Sequence, residues 1–285
     1  MDAALHRQRR RPELPAGLFR LVVFPAGGFQ VAGVSVSLSA ADTRVVVLDI
    51  EGTTTPIEFV YDVLFPFARA HMTDYLEQAW TSDPCRAAVA LLRDERTAEI
   101  VHGQAAPAAA RVDGPLAAQI TSVAAYVGWL MDRDRKSPGL KALQGEIWRS
   151  GYRSGELRGQ VFPDVPPALE RWRAQQLDVC IYSSGSVLAQ QLLSQTTEAG
   201  DLTKFLADYF DTGIGSKTSP DSYRRIAEAR AAPAARLLFI SDVASELDAA
   251  RTAGFQTLLC VRPSNPPPVG EHTHPAIRTF NEIVV

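Results

Sequence analysis

The chain has 285 residues, of which 46% are hydrophobic and 21% charged, as in an ordinary globular protein with one large domain or two modest ones. A net charge of −3 gives no reason to expect nucleic acid or an anionic membrane as a partner. The three cysteines, Cys85, Cys180 and Cys260, form no C-x-x-C pair. Neither a disulfide framework nor a zinc site is therefore expected, which fits the reducing cytoplasm.

Residues 1–43 differ from the rest of the chain. They begin with a basic cluster, and a mixed apolar stretch follows at 18–38. Arg20, Pro25 and several glycines interrupt that stretch, which argues against a signal peptide. We therefore predict that residues 1–43 form a disordered extension. No run of about 18 or more apolar residues occurs elsewhere, so no transmembrane helix is expected.

Short, nearly continuous apolar runs predict strands that are buried on both faces of a sheet. The predicted strands are 44–49, 177–182, 236–241 and 256–261, with 208–211 as a candidate fifth. Helical patterns separate them at 167–175, 187–193, 219–230 and 245–253. This alternation predicts an α/β fold with a Rossmann-like, doubly wound parallel sheet.

The segment 58–158 breaks this alternation. Its patterns predict long helices at 60–80, 85–101, 114–133 and 139–149, and no buried strand. We interpret the segment as an α-helical cap inserted into a catalytic core formed by residues 44–57 and 159–285. An insert after the first strand can lie over the carboxyl edge of the sheet and serve as a lid.

Two carboxylates, Asp49 and Glu51, lie at the carboxyl end of the first predicted strand. Because ligands of open α/β sheets bind at the carboxyl ends of the strands, these acids are candidate catalytic groups. One carboxylate could attack phosphorus and the other could transfer protons. The alternative is that the pair only caps a helix or forms a turn.

Three further strand ends or turns carry residues that suit phosphate chemistry. Ser183 and Ser184 follow a strand, where hydroxyl and backbone N–H groups can bind an anion, although serines also cap helices. Lys217 precedes a helix in a glycine-containing turn and could neutralise a phosphate, or simply be solvated. Asp242 ends a strand and could complete an oxygen-rich Mg²⁺ site with Asp49. Glu246 lies in the first turn of the helix that follows. A carboxylate near a helix N-terminus is favourable in itself, so its position needs no functional explanation.

Together these motifs resemble the haloacid dehalogenase-like phosphatases, and more closely the enolase-phosphatases of methionine salvage. The Asp-Ile-Glu-Gly-Thr-Thr sequence at 49–54 is typical of that branch, where most of the superfamily has Asp-x-Asp. The similarity continues at 59–66, 140–148, 200–202 and 210–212 and covers roughly residues 44–265. One departure is Ser264, where the family usually has glycine, and we expect it to change only a local loop.

The resemblance implies one Mg²⁺ per subunit, bound by Asp49, Glu51 and Asp242. It implies phosphate or dicarbonyl binding by Ser183, Ser184 and Lys217. The implied substrate is 2,3-diketo-5-methylthiopentyl 1-phosphate, which is enolised and then dephosphorylated to 1,2-dihydroxy-3-keto-5-methylthiopentene.

Two other functions remain open at this point. The chain could be a plain Mg²⁺-dependent phosphatase acting on another small phosphate, or a non-catalytic phospholigand-binding protein. We expect a monomer, because a capped core needs no second subunit to complete its site. His272 and His274, in a proline-rich tail, are predicted to be solvated and not to bind a metal.

Overall fold

A parallel sheet of six strands forms the centre of the fold. The computed structural model describes residues 36–37, 43–102, 104–265 and 273–284. Its strands are β1 (Val36–Ser37), β2 (Val45–Leu48), β3 (Asp178–Tyr182), β4 (Asp208–Phe210), β5 (Leu237–Ser241), β6 (Gln256–Cys260), β7 (Ala276–Ile277) and β8 (Ile283–Val284). The sheet order is β4-β3-β2-β5-β6-β7, while β1 pairs in parallel with β8.

Strand β2 occupies the middle of the sheet and is buried on both faces. Val45 lies opposite Asp178 of β3 and Leu237 of β5. All four residues of β2 have 0% exposed surface, which explains why the strand is apolar at every position instead of alternating.

Eight α-helices accompany the sheet in the described part of the chain. They are α1 (Phe65–Ala79), α2 (Asp83–Val101), α3 (Leu116–Met131), α4 (Pro138–Ser154), α5 (Val165–Ala174), α6 (Val187–Gln195), α7 (Pro220–Ala229) and α8 (Ala244–Thr252). Val46 packs in one apolar cluster with Trp172 of α5. Val47 packs in the other with Tyr223 of α7 and Leu247 of α8. Helices therefore cover both faces, and the predicted doubly wound α/β fold is confirmed.

The segment between β2 and β3 begins with helices, as predicted. A short π-helical turn, Phe59–Leu64, leads directly into α1. Ser137 caps α4 by accepting a hydrogen bond from the N–H of Leu140 at 3.0 Å. Helices α2 and α4 approach closely at Gly139, where an added Cβ would lie 2.6 Å from Leu92. The division into a core and a cap at residues 58 and 158 stays a prediction.

The C-terminal region differs from the prediction. Strands β7 and β8 were not expected, because two-residue strands carry too little pattern to recognise. The expectation that His274 is solvated is wrong: the residue is 5% exposed, and its Nδ1 lies 2.8 Å from Thr257 Oγ1. Its Nε2 lies 3.2 Å from Asp248 Oδ1. His272 lies outside the described residues.

The predicted extension, residues 1–43, lies almost wholly outside the described residues. Only Val36–Ser37 and Thr43 are described there, and β1 pairs with β8. No helix in the described ranges combines the length and apolar character that a membrane span requires.

An ion pair between Arg262 and Asp164 connects distant parts of the core. The two side chains are 2% and 9% exposed. Arg262 Nη1 donates to both carboxylate oxygens of Asp164, at 3.0 and 2.9 Å. Its Nε and Nη2 donate to the carbonyl oxygen of Thr53, at 3.0 and 2.8 Å. The pair therefore holds the loop after β2 against the start of α5.

Replacing Arg262 with Met is expected to lower the free energy of unfolding by about 3–5 kcal/mol, because Asp164 would keep a buried charge without its partner. Urea denaturation followed by circular dichroism measures this loss. The control is Arg224→Met, which removes an exposed pair with Asp221 and should change stability by less than about 1 kcal/mol. Equal losses in the two variants would contradict the prediction.

Candidate active site

The loop that follows β2 places Asp49 at the carboxyl edge of the sheet. The N–H of Asp49 donates to the carbonyl oxygen of Ile240 at 3.0 Å, so this residue continues the register of the strand. The N–H groups of residues 53–55 then all donate to the carbonyl oxygen of Ile50, at 3.1, 3.0 and 2.9 Å. This compact turn fixes where the strand ends and where the Asp49 side chain begins.

Gly52 allows the turn to pass close to Asp242. Its φ of +69° is left-handed, and a Cβ at this position would lie 2.4 Å from Asp242 Oδ2. Asn265 occupies the same corner, with its Nδ2 donating to the carbonyl oxygen of Gly52 at 2.8 Å and to Asp242 Oδ2 at 3.3 Å. Any side chain other than hydrogen at residue 52 would displace this arrangement.

Lys217 lies between two carboxylates in the interior. Its Nζ is 2.6 Å from Asp49 Oδ1 and 2.7 Å from Glu246 Oε2. The Lys217 and Asp49 side chains are each only 6% exposed. Burial disfavours the charged lysine, but Asp49 and Glu246 outweigh it and raise the pKa of Lys217 above its usual value. The two carboxylates therefore favour the charged form of Lys217 beside Asp49.

Ser241 links the same two carboxylates through its hydroxyl. Its Oγ lies 2.8 Å from Asp49 Oδ2 and 3.2 Å from Glu246 Oε2, so its single proton can be donated to either oxygen. The hydroxyl also accepts the N–H of Val243 at 3.1 Å. Burial, followed by the charge of Asp49, raises the pKa of Glu246 to about 7. Glu246 thus belongs to the site, although sequence reasoning explained it by its position near a helix N-terminus and did not count it among the site residues.

Asp242 and Glu51 lie in the electric field of Asp49. Burial, followed by the Asp49 charge, raises the pKa of Asp242 to about 7. The same two causes, in the same order, raise the pKa of Glu51. The carboxylate of Asp49 therefore disfavours ionisation of Asp242 and Glu51 at this edge of the sheet.

The donor atoms at this edge fit a hard divalent cation. Asp49 and Asp242 supply carboxylate oxygens, and Asn265 Oδ1 is a buried oxygen with no hydrogen-bond partner among the described residues. No cluster of three or more His, Cys, Asp or Glu side chains within those residues is arranged to hold a metal ion. A bound Mg²⁺ would therefore take some of its oxygen ligands from backbone carbonyls or water.

The two predicted substrate-binding serines lie at the carboxyl end of β3, next to β2 in the sheet. The N–H of Ser183 donates to the carbonyl oxygen of Phe210 at 3.2 Å, and its Oγ accepts the N–H of Gly185 at 3.1 Å. Ser184 follows it in the turn before α6. Their contact with a substrate remains a prediction.

The helical segment between β2 and β3 also reaches this edge. Lys141 of α4 forms an ion pair with Asp211, Nζ to Oδ2, at 3.0 Å, in the loop after β4. The charges of Lys136 and Asp134, in the loop between α3 and α4, act on the pKa of Glu51 in opposite directions. Helix α4 and the loop before it therefore bring charged side chains near the candidate site.

Sequence reasoning did not identify Ser241 or Asn265 as site residues. Ser241 is the last residue of an apolar strand, and only its position directly before Asp242 could have indicated a role. Asn265 comes from a loop far along the chain, and no local pattern connects it to Gly52.

With this geometry in place, the chain matches the family model for haloacid dehalogenase-like hydrolases over residues 43–254. The match covers more than half of the chain and includes Asp49, Lys217 and Asp242. The chain belongs to this class of hydrolases.

Similar proteins within this class of hydrolases indicate a more specific family. The chain is 47% identical to an enolase-phosphatase E1 of Synechococcus elongatus over 237 residues, which is 83% of this chain and 95% of the relative. It is 41% identical to an enolase-phosphatase E1 of Drosophila mojavensis over 246 residues, covering 86% and 96% of the two chains. The crystal structure of the Unknown transcript 4 protein of Saccharomyces cerevisiae matches with a TM-score of 0.66 and 32% identity, covering 84% and 99%. The chain belongs to the enolase-phosphatase E1 family.

Gly52→Ala is expected to abolish most phosphatase activity, because its Cβ would push Asp242 away from Asp49. Gly155→Ala is the matched control, since Gly155 also has a positive φ, of +80°, but has nothing within 4 Å of an added Cβ. Both variants should lose about 1 kcal/mol of stability from the left-handed backbone. Gly52→Ala should lose more, because its Cβ also collides with Asp242 and Asn265. A phosphate-release assay measures the loss of activity, and urea denaturation measures the loss of stability. Equal activity in the two variants would rule out a role for the close approach.

Proposed function

We propose that the protein is a Mg²⁺-dependent, bifunctional enolase-phosphatase that converts 2,3-diketo-5-methylthiopentyl 1-phosphate to 1,2-dihydroxy-3-keto-5-methylthiopentene and phosphate in methionine salvage. The observation that carries this proposal is the buried carboxylate of Asp49, paired with Lys217 at the carboxyl edge of the sheet. Membership of the enolase-phosphatase E1 family supports the choice of substrate.

Asp49 is the proposed nucleophile. One of its carboxylate oxygens forms a bond to phosphorus, the bond from phosphorus to the ester oxygen breaks, and that oxygen leaves with the electron pair. Water then cleaves the aspartyl phosphate and regenerates Asp49. Lys217 offsets the negative charge that phosphate and Asp49 bring together. Ser183, Ser184 and Lys217 are proposed to hold the phosphate or the dicarbonyl group.

Asp49 and Asp242 are the proposed side-chain ligands of one Mg²⁺, with Glu51 contributing either its side chain or its backbone carbonyl. When bound, the ion would supply Lewis-acid stabilisation of negative charge on oxygen. Burial, followed by repulsion from the Asp49 charge, raises the pKa of Asp242 to about 7. A cation relieves that repulsion, which supports its placement here.

Glu51 is the proposed proton-transfer group for enolisation. Burial and Asp49 raise its pKa, which makes its carboxylate a better proton acceptor than an ordinary exposed glutamate.

We propose that residues 58–158 act as the cap that excludes water during this step. The ion pair of Lys141 with Asp211 supports closure of α4 against the core. A monomer in the cytoplasm remains our expectation.

The alternatives explain fewer observations. A non-catalytic phospholigand-binding protein would not require a buried Asp49 beside Lys217 and Asp242. A plain phosphatase acting on another phosphate ester would use the same nucleophile, but family membership favours the diketo phosphate as substrate.

Stopped-flow ultraviolet absorbance with the diketo phosphate, alongside a phosphate assay, tests the proposal. We expect a transient enol absorbance followed by Mg²⁺-dependent phosphate release. In Asp49→Asn, phosphate release should fall on the order of a thousandfold or more, since the amide is a poor nucleophile. Asp94→Asn, at an exposed position on α2, is the control and should behave as the unmodified protein. Phosphate release without any enol signal would reduce the function to that of a plain phosphatase.

Glu51→Gln is expected to slow the appearance of the enol signal by at least about a hundredfold, because the amide cannot accept the carbon-bound proton. Mg²⁺ binding, measured by calorimetry, should change little if Glu51 binds the ion through its backbone carbonyl. An unchanged enolisation rate would exclude Glu51 as the base. Loss of Mg²⁺ binding would instead identify its side chain as a ligand.

A further inference from the structure

A cleft of about 200 Å³ lies between α2, α3 and the segment that connects them. Polar side chains in its lining include Arg93, Arg96, Gln119 and Ser122. No lining residue belongs to the candidate active site, and none carries a carboxylate. The cleft therefore has an excess of positive charge.

Arg96 is the unusual residue in this lining. It is 5% exposed, and its Nη1 and Nη2 donate to Ser122 Oγ at 3.0 Å and to the Ser122 carbonyl oxygen at 2.7 Å. Its guanidinium carbon lies 4.8 Å from the centre of the Tyr126 ring. Nε has no hydrogen-bond partner among the described residues. Nearly all of this side chain is buried, but within the described ranges no carboxylate lies within ion-pair distance of it.

Arg93 adds a second positive charge one helical turn away. Its Nη2 donates to Gln119 Oε1 at 2.8 Å, which is a neutral acceptor. Burial lowers the pKa of Arg96, Tyr126 acts in the opposite direction, and the Arg93 charge lowers it further. The contrast within the same molecule is Arg262, whose equally buried guanidinium is neutralised by Asp164. Buried charges are normally paired in this way.

Apolar side chains form the outer part of the cleft. Ile100 and Val112 both line it, yet they are 51% and 68% exposed. Large apolar side chains grouped at the mouth of a cleft commonly mark a binding surface. The cleft is positively charged inside and apolar at its mouth. A ligand complementary to it would therefore be an anion with an apolar part.

We propose that this cleft binds a small organic anion, a carboxylate with a short aliphatic tail. The carboxylate would lie beside Arg93 and Arg96 and compensate their charge. The tail would cover Ile100 and Val112. The volume is below that of sites for drug-sized ligands, about 300 Å³ or more, which limits the ligand to a compact molecule.

A purely structural role for Arg96 makes a different prediction. Ser122 Oγ also accepts the N–H of Ala110 at 2.9 Å and contacts the carbonyl oxygen of Ala108 at 3.1 Å. If Arg96 served only to hold the segment between α2 and α3 in place, its replacement would lower the stability of the protein and the cleft would have no affinity for anions. Ligand binding distinguishes the two roles, since fastening alone does not require it.

The test is isothermal titration calorimetry of the full chain with hexanoate and with hexan-1-ol, which share a tail and differ in charge. We expect one hexanoate to bind per chain and hexan-1-ol to bind at least about tenfold more weakly. Absence of hexanoate binding, or equal affinity for the two ligands, would overturn the proposal.

Variants locate the site. Arg93→Gln should weaken hexanoate binding about tenfold without unfolding the protein, because Arg93 is only half-buried. Arg86→Gln, on the same helix but paired with Asp83 outside the cleft, should leave it unchanged. Arg96→Lys keeps the positive charge but loses the two hydrogen bonds to Ser122. Thermal unfolding of this variant, measured with and without hexanoate, separates its loss of stability from any loss of binding. Unaltered binding in both Arg93→Gln and Arg96→Lys would also contradict the proposal.

Discussion

The candidate active site is organised around one buried ammonium group, that of Lys217, held between Asp49 and Glu246. Burying three charges is unfavourable unless their geometry is maintained, because each loses its hydration. The three residues come from the end of β2, the turn before α7 and the first turn of α8. The ion pairs therefore form only when separate parts of the sheet are assembled. The hydroxyl of Ser241, at the end of β5, lies within hydrogen-bond distance of both carboxylates and can donate to either.

Much of the fold could be predicted from the sequence because the sheet is buried on both faces. A strand such as β2 must be apolar at each position, and a run like that is visible without any structural information. The acids that follow β2 and β5 were recognisable because parallel strands end at a common edge. Their catalytic roles are separate hypotheses, which the geometry makes specific enough to test.

The residues that escaped prediction depend on contacts between distant segments. Asn265 matters only because its loop folds back onto Gly52, and Arg262 only because its guanidinium reaches Thr53 and Asp164. His274 seemed solvated in a proline-rich tail, yet it is buried against Thr257. Glu246 had a sufficient local explanation at a helix terminus, and that explanation concealed its contact with Lys217.

The central position of β2 has a consequence for how the chain folds during synthesis. This strand is among the first parts of the described chain to be translated, but its two neighbours, β3 and β5, begin only at Asp178 and Leu237. Until both have left the ribosome, an entirely apolar strand has no partner on either side. Such long-range pairing is slow and leaves strands prone to aggregation. The helices between β2 and β3 can form locally in the meantime, so the nascent chain can acquire its helical segment before the candidate active site at the sheet edge is assembled.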